Sequence, residues 1–189
     1  MPNTQKAPVP NRLLAALPRK DYGKLLPLFT PVKLDFVQVL YESHATIRHV
    51  YFPSSGLVSM LTTVDGGRAA EVGLVGSEGM IGVPAVLGIA ASPFRAVVQG
   101  GGMAMRMNIA DFRRALSRST ALRHQLFVFT NLLMIQIAQT AACNRFHMTT
   151  QRMARWLLMT RDRVNSNEFR ITQEFLALML GVQIGRAHV

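Results

Sequence analysis

Cysteine is nearly absent: Cys143 is the one thiol in 189 residues. That excludes an intrachain disulfide and a cysteine-based cluster or zinc site. Cys143 itself reads as a small apolar helix residue rather than a sensor thiol. His44, His49, His124, His147 and His188 show no metal-ligand spacing, so no metal site is expected and a haem ligand is unsupported. Catalytic patterns are missing too. There is no phosphate-binding glycine loop, no paired-His motif and no nucleophile elbow. Gly100-Gly-Gly102 lacks a following Lys-Ser/Thr and reads as a turn. Glu71 and Glu78, seven apart across a turn signal, read as solvated carboxylates. No catalytic residue is assigned, and the chain is not read as an enzyme. Met1 to Lys6 lacks the apolar core of a signal peptide, which with the cysteine usage points to a reducing cytoplasm.

Acidic residues are also scarce, 10 Asp+Glu against 21 Lys+Arg, for a formal charge of +11. The excess sits at the ends. Residues 1–33 carry six basic groups and one acidic, residues 34–144 eight and six, and residues 145–189 seven and three. A basic C-terminal segment suits phosphate contact or an ordinary solvated surface. Charge vanishes from residues 124–144, a run of 21 long enough to span a bilayer. Gln125, Thr130, Asn131, Gln136, Gln139, Thr140 and Asn144 are spread through it. Seven polar side chains would be costly in lipid, so a helix covered by protein is expected and no membrane is.

What is present falls into an α+β order. Asn11 to Phe29 reads as a short helical lead-in, its parts bounded by Pro18 and Pro31. Short β-like runs follow: Val50-Tyr-Phe, Leu57 to Val64, Arg68 to Val75, Val97-Val-Gln99 and Met103 to Met107. Asp65-Gly66-Gly67 is a hairpin signal, and Pro53-Ser-Ser-Gly56 and Gly76-Ser-Glu-Gly79 mark further turns. Many short strands at this spacing imply a small barrel or jelly roll. Helix returns at Asn108, with Asp111 completing a capping-box-like start. After a break near Ser117–Thr120, a long helix is expected from about Leu122 to about Asn144. Leu122, Leu126, Phe129 and Leu133 form a 4-3-4 stripe, while Phe127, Met134, Ile137 and Ala141 form a second. Two stripes suggest two surfaces, one on the β domain and one on a second copy, or else a single core for both. The first stripe is taken as the dimer helix.

A third helix is expected from Thr149 to about Arg163, then a turn at Asn165-Ser-Asn167 and a short strand-like Phe169-Arg-Ile171. Thr172 to Gly181 reads as the first half of a helix-turn-helix. Thr172 is a good N-cap, Phe175, Leu176, Met179 and Leu180 make an apolar stripe, and Ala177 admits a close second helix. Thr172 and Gln173 at the helix start, with Arg170 nearby, are the candidate DNA phosphate contacts, and Arg145 could add charge. Arg152 and Arg155 share a helix face, for solvent or a neighbouring acid as readily as for DNA. Trp156 reads as core. Val182 to Val189 is too short for a base-reading helix. Ile184-Gly-Arg-Ala-His-Val189 matches one reading frame of a common sequencing adapter and is expected to be a non-native tail.

A β-roll, a long apolar helix and a helix-turn-helix, in that order, resemble the Crp/Fnr family of transcription regulators. Arg48-His-Val-Tyr-Phe-Pro-Ser-Ser-Gly56, Glu71-Val-Gly-Leu-Val-Gly76, Glu78-Gly-Met-Ile-Gly82 and Ser92-Pro-Phe-Arg-Ala96 resemble the sensor roll of one subgroup. Thr140-Ala-Ala-Cys-Asn144, Gln151-Arg-Met-Ala-Arg-Trp-Leu-Leu158 and Thr172-Gln-Glu-Phe-Leu-Ala177 resemble its hinge and DNA domain. The resemblance implies a double-stranded, cyclic-nucleotide-binding-like roll over residues 31–120 behind the lead-in of 1–30. It places a dimerisation helix over 121–146 and an incomplete winged helix-turn-helix over 147–183, before the tail of 184–189. It implies a homodimer with DNA, a small-molecule effector and RNA polymerase as partners. Gly82, Arg95 and Ala96 fall at the effector pocket. The cyclic-nucleotide signature departs there: Val83-Pro84 follows Gly82 where a ribose-binding Glu is expected, and Arg95 precedes Ala96 directly. Matched from Arg152, the purine-contacting pair falls on Ile137 and Ala138, which have no polar side chain. These departures argue against cyclic AMP, and no cofactor is identified. A stand-alone ligand-binding or dimerisation module is the alternative from another class.

Overall fold

The computed structural model describes residues 11–63, 69–164, 169 and 171–180. The Asp65-Gly66-Gly67 turn, Arg68, the Asn165-Ser-Asn167 turn, Arg170 and residues 181–189 with the expected tail lie outside them.

Two short helices open the described chain, α1 (Arg12–Ala15) and α2 (Arg19–Leu25), followed by a 3-10 turn, Leu26–Leu28. Asn11 anchors them. It is buried, its Oδ1 accepts from the Leu14 N–H at 3.1 Å, and its Nδ2 donates to the carbonyls of Pro53 (2.8 Å) and Gly79 (2.7 Å). One amide therefore caps α1 and ties it to two turns of the roll. Asn11→Ala is expected to lower the unfolding free energy in urea by about 2–3 kcal/mol, a lost cap plus buried carbonyls left unpaired. A loss below about 0.5 kcal/mol would mean those carbonyls find other donors.

The strands are β1 (Phe29–Leu34), β2 (Val39–Tyr41), β3 (His49–Pro53), β4 (Leu57–Thr63), β5 (Ala69–Val75), β6 (Arg95–Gly100) and β7 (Gly102–Asn108). They form two antiparallel sheets, β1-β7-β3 and β2-β6-β4-β5. The expected roll is thus present, with two strands more than the sequence reading. Phe29 opens β1 rather than closing the helical lead-in, and Pro31 sits inside that strand. Proline is tolerated there because β1 is an edge strand. The interior is filled by Val50, Phe52, Val58, Val75, Met80, Ile81, Val98 and Met107, all buried. Gly82 adopts φ +104° and lies where a Cβ would meet Val50 Cγ1 at 2.9 Å. Its glycine is demanded by backbone and packing together.

After the roll come α3 (Ile109–Arg118), α4 (Thr120–Phe146), α5 (Thr149–Val164) and α6 (Gln173–Leu180). Asn108 and Ser119 cap α3 and α4, accepting from the Ala110 and Leu122 N–H groups. Asp111 does not complete a capping box; its carboxylate goes to Arg114. Phe169 and Ile171 are not in a strand. They pack against the cluster around Trp156, with the Phe169 ring edge-on to the indole at 6.0 Å.

The expected use of α4 needs a correction. Leu122, Leu126, Phe129 and Leu133 are all buried in the roll's own core. The stripe taken as the dimer helix is therefore packed within the chain. The exposed apolar face carries Phe127 (49% accessible), Val128, Leu132 (56%), Met134 and Ile135 (57%). The core stripe wins the inner side because the roll presents a hole for it. Gly79 leaves that hole: a Cβ there would stand 2.2 Å from the Phe129 ring.

Candidate functional site

Gly82, Arg95 and Ala96, the residues expected at the effector pocket, come from two elements, and Gly82 and Ala96 are buried. Gly82 precedes a 3-10 turn, Val83–Leu87, and Arg95 and Ala96 open β6. Tyr41 joins them: it pairs with Ala96 across β2 and β6, and its hydroxyl hydrogen-bonds the Gly82 backbone and the Ser92 side chain. Burial pushes the Tyr41 hydroxyl well above the usual tyrosine range, so it stays protonated at any physiological pH. Ser92 is buried and also bonded to Phe94 through both its hydroxyl donor and acceptor. Arg95 is a strand-end arginine whose Nε lies 2.9 Å from Glu42 Oε2, both side chains partly exposed. An anion at Arg95 would compete with Glu42 for the guanidinium. Among the described residues, no cluster of three or more His, Cys, Asp or Glu is placed to hold a metal ion.

The second site lies where α5 and α6 rest on the outer face of the four-stranded sheet. Leu61 of β4 and Val97 of β6 are covered there by Trp156 and Phe175. The α6 helix packs on β5 as well as on α5, and the Phe175 ring reaches Phe36 at 6.1 Å. Trp156 is core, as expected. Glu71 is not solvated, which corrects the sequence reading. It is buried on β5, and its Oε1 accepts from Trp156 Nε1 at 3.1 Å. Glu78 is half-buried and ion-paired: its Oε1 accepts from Arg163 Nε at 2.8 Å, and Arg12 lies 3.8 Å from Oε2. Gln136 of α4 joins this pair, accepting from Arg163 at 2.8 Å and donating to the Leu74 carbonyl at 3.1 Å.

Arg145, which could add charge for DNA, is exposed, while Arg152 and Arg155, read as free for solvent, an acid or DNA, turn inward. Arg155 donates to Thr140 Oγ1 at 3.2 Å, and Arg152 reaches Asn144 Oδ1 at 3.3 Å. Thr172 does cap α6, accepting from the Phe175 N–H at 3.1 Å, and Thr172 and Gln173 are exposed. Arg170, the third expected phosphate contact, is outside the described residues. Sequence reasoning missed Tyr41, Glu71 and Arg163. For Glu71 a signal existed: Ala69 to Val75 is otherwise apolar on both alternations, which marks a strand covered on both faces.

No protein-family model matches the chain, and no curated protein matches it. Solved structures do. CLP from Xanthomonas campestris, described as a c-di-GMP responsive global regulator, is 14% identical with a TM-score of 0.74, over 90% of this chain and 88% of that one. FixK2 from Bradyrhizobium japonicum is 12% identical at a TM-score of 0.71, over 83% and 79%. The Thermus thermophilus catabolite activator protein is 18% identical at 0.58, over 92% and 81%. The structural neighbours are Crp/Fnr family transcriptional regulators. The fold is theirs: a cyclic-nucleotide-binding-like roll followed by a long helix.

Proposed function

We propose that the chain is a homodimeric, DNA-binding transcription regulator of the Crp/Fnr type, acting in the cytoplasm and meeting RNA polymerase at its promoters. What supports this is the order and contact of its parts. A closed roll is followed by a 27-residue helix with one side in the roll's core and an apolar side exposed, then by a helix pair resting on the roll. The exposed side fits a second copy, the Thr172 end of α6 fits a DNA phosphate, and the partly exposed Arg95, beside Ala96 and the Tyr41–Gly82 contact, is our candidate for holding a small effector other than cyclic AMP. The units follow the division at about residues 30, 120, 146 and 183. No catalytic role is proposed.

A second reading, a ligand-binding or dimerisation module that leaves DNA alone, is favoured by one observation: Arg152, Arg155 and Arg163 each direct donors to groups of the chain itself. Binding to pooled duplex genomic fragments at two salt concentrations separates the two. The regulator reading expects retained fragments and an affinity that falls about tenfold or more per fourfold rise in salt, through released counterions. No retention at low salt would leave the second reading.

A further inference from the structure

Glu71 is placed where an ionised carboxylate is costly. From β4, the Ser59 hydroxyl reaches both Glu71 and Gln99 Oε1 of β6, the latter at 2.8 Å. From α5 come the Trp156 indole N–H, Arg152 and Arg155, with Arg163 a turn and more beyond; from α4 come Thr140, Asn144 and Cys143, which line the same small cavity of about 30 Å³. Arg163 is held by Glu78, whose charge it neutralises. Among the described residues no arginine pairs with Glu71 directly, and its Oε2 is buried with no hydrogen-bond partner. The tie between roll and helix pair therefore includes a carboxyl group with two hydrogen-bonding neighbours, Ser59 and Trp156, and no counter-ion in contact.

We propose that Glu71 and Trp156 form a proton-operated latch, which holds α5 and α6 on the sensor roll while Glu71 is protonated and loosens when it ionises. Burial pushes Glu71 up from 4.5 to about 7, against the opposing pull of hydrogen bonds from Ser59 and Trp156 and the charges of Arg163 and Arg155. With α5 lifted away, the side chain faces water and returns toward the ordinary value. The docked state thus binds the proton more tightly. Docking is fully supported below the undocked value and is lost as pH rises through the docked one near 7. Over that window each pH unit weakens docking up to tenfold, on the order of a hundredfold in all. The latch concerns how α5 and α6 are held and does not depend on their reading DNA; its use in regulation does.

The chain carries its own reporter, since Cys143 is the single cysteine, is buried and lines the cavity beside Trp156. Labelling of Cys143 by a neutral thiol reagent is compared between wild type and Glu71→Gln at the same pH, which cancels the thiolate fraction. At pH 8 the wild type is expected to label on the order of a hundredfold faster, and at pH 5.5 that ratio should shrink by about tenfold or more. Equal labelling of the two proteins at pH 8, or a ratio unchanged with pH, would overturn the latch. Should Glu71→Gln fail to fold, hydrogen exchange of the α5 amides in the wild type takes over. Protection, corrected for intrinsic rates, should fall about tenfold from pH 6 to pH 8, and equal protection would overturn the proposal. A protein that passes and still binds no duplex DNA keeps the latch and loses the regulator reading.

Discussion

Phe129→Ala is expected to cost the protein about 3–5 kcal/mol of unfolding free energy, the range for a buried aromatic cut to a methyl. The ring is buried in the roll's core from α4, against Gly79 in the turn that follows β5. A Cβ at Gly79 would come within 2.2 Å of two atoms of that ring, closer than real carbon contacts allow. Gly79→Ala should therefore destabilise by about 1–3 kcal/mol through overpacking. The two lesions share one space, so they must not add. Gly79→Ala in the Phe129→Ala background should cost little or even stabilise, giving a coupling energy of about 1–3 kcal/mol in a double-mutant cycle read by denaturant unfolding. Additivity would mean that α4 does not seat its ring in that turn, and the packing of the long helix on the roll would be wrong.

That contact also shows what the sequence does and does not disclose. The strands β3 to β7 were legible because each couples alternating or β-branched residues to glycine- or proline-marked turns. The long helix was legible from its charge-free length, and Thr172 from its cap position. β1 and β2 were not. β1 carries Pro31, and β2 has three residues with an irregular register against β6, so neither offers a period to read. The two stripes of α4 were visible, but the one taken as the dimer helix went into the core, and Ile137 of the other packs on that core as well. Leu, Phe and Met look alike to periodicity, and only the partner's shape decides which stripe goes inward. Gly79 held that information, yet a glycine in a turn signal reads first as a turn residue. Glu71 failed for a related reason. A lone carboxylate in a strand suggests solvent until the helix pair that covers the sheet is in view, and that cover comes from residues about 85 positions later.

The outer stripe of α4 yields the last expected result. Leu132→Asp combined with Ile135→Asp should turn a dimer into a monomer without unfolding the roll. Both side chains are more than half accessible in the isolated chain, and with Phe127, Val128 and Met134 they form an apolar face on a helix of 27 residues. By length and composition α4 could also cross a bilayer, but its other side is committed to the roll through Leu122, Leu126, Phe129 and Leu133. A second copy can cover the outer face without disturbing that core. In a two-fold interface each substitution occurs twice, so four buried apolar groups are exchanged for carboxylates. At about 1.5 kcal/mol apiece the loss is about 6 kcal/mol, roughly four powers of ten in Kd. Sedimentation velocity at micromolar protein should then show half the wild-type mass, with the far-ultraviolet circular dichroism unchanged. Leu126→Asp, on the inner stripe, should instead unfold the chain. A wild type that sediments as a monomer at tens of micromolar, or a double variant that sediments like the wild type, would remove the dimer axis from the proposed regulator.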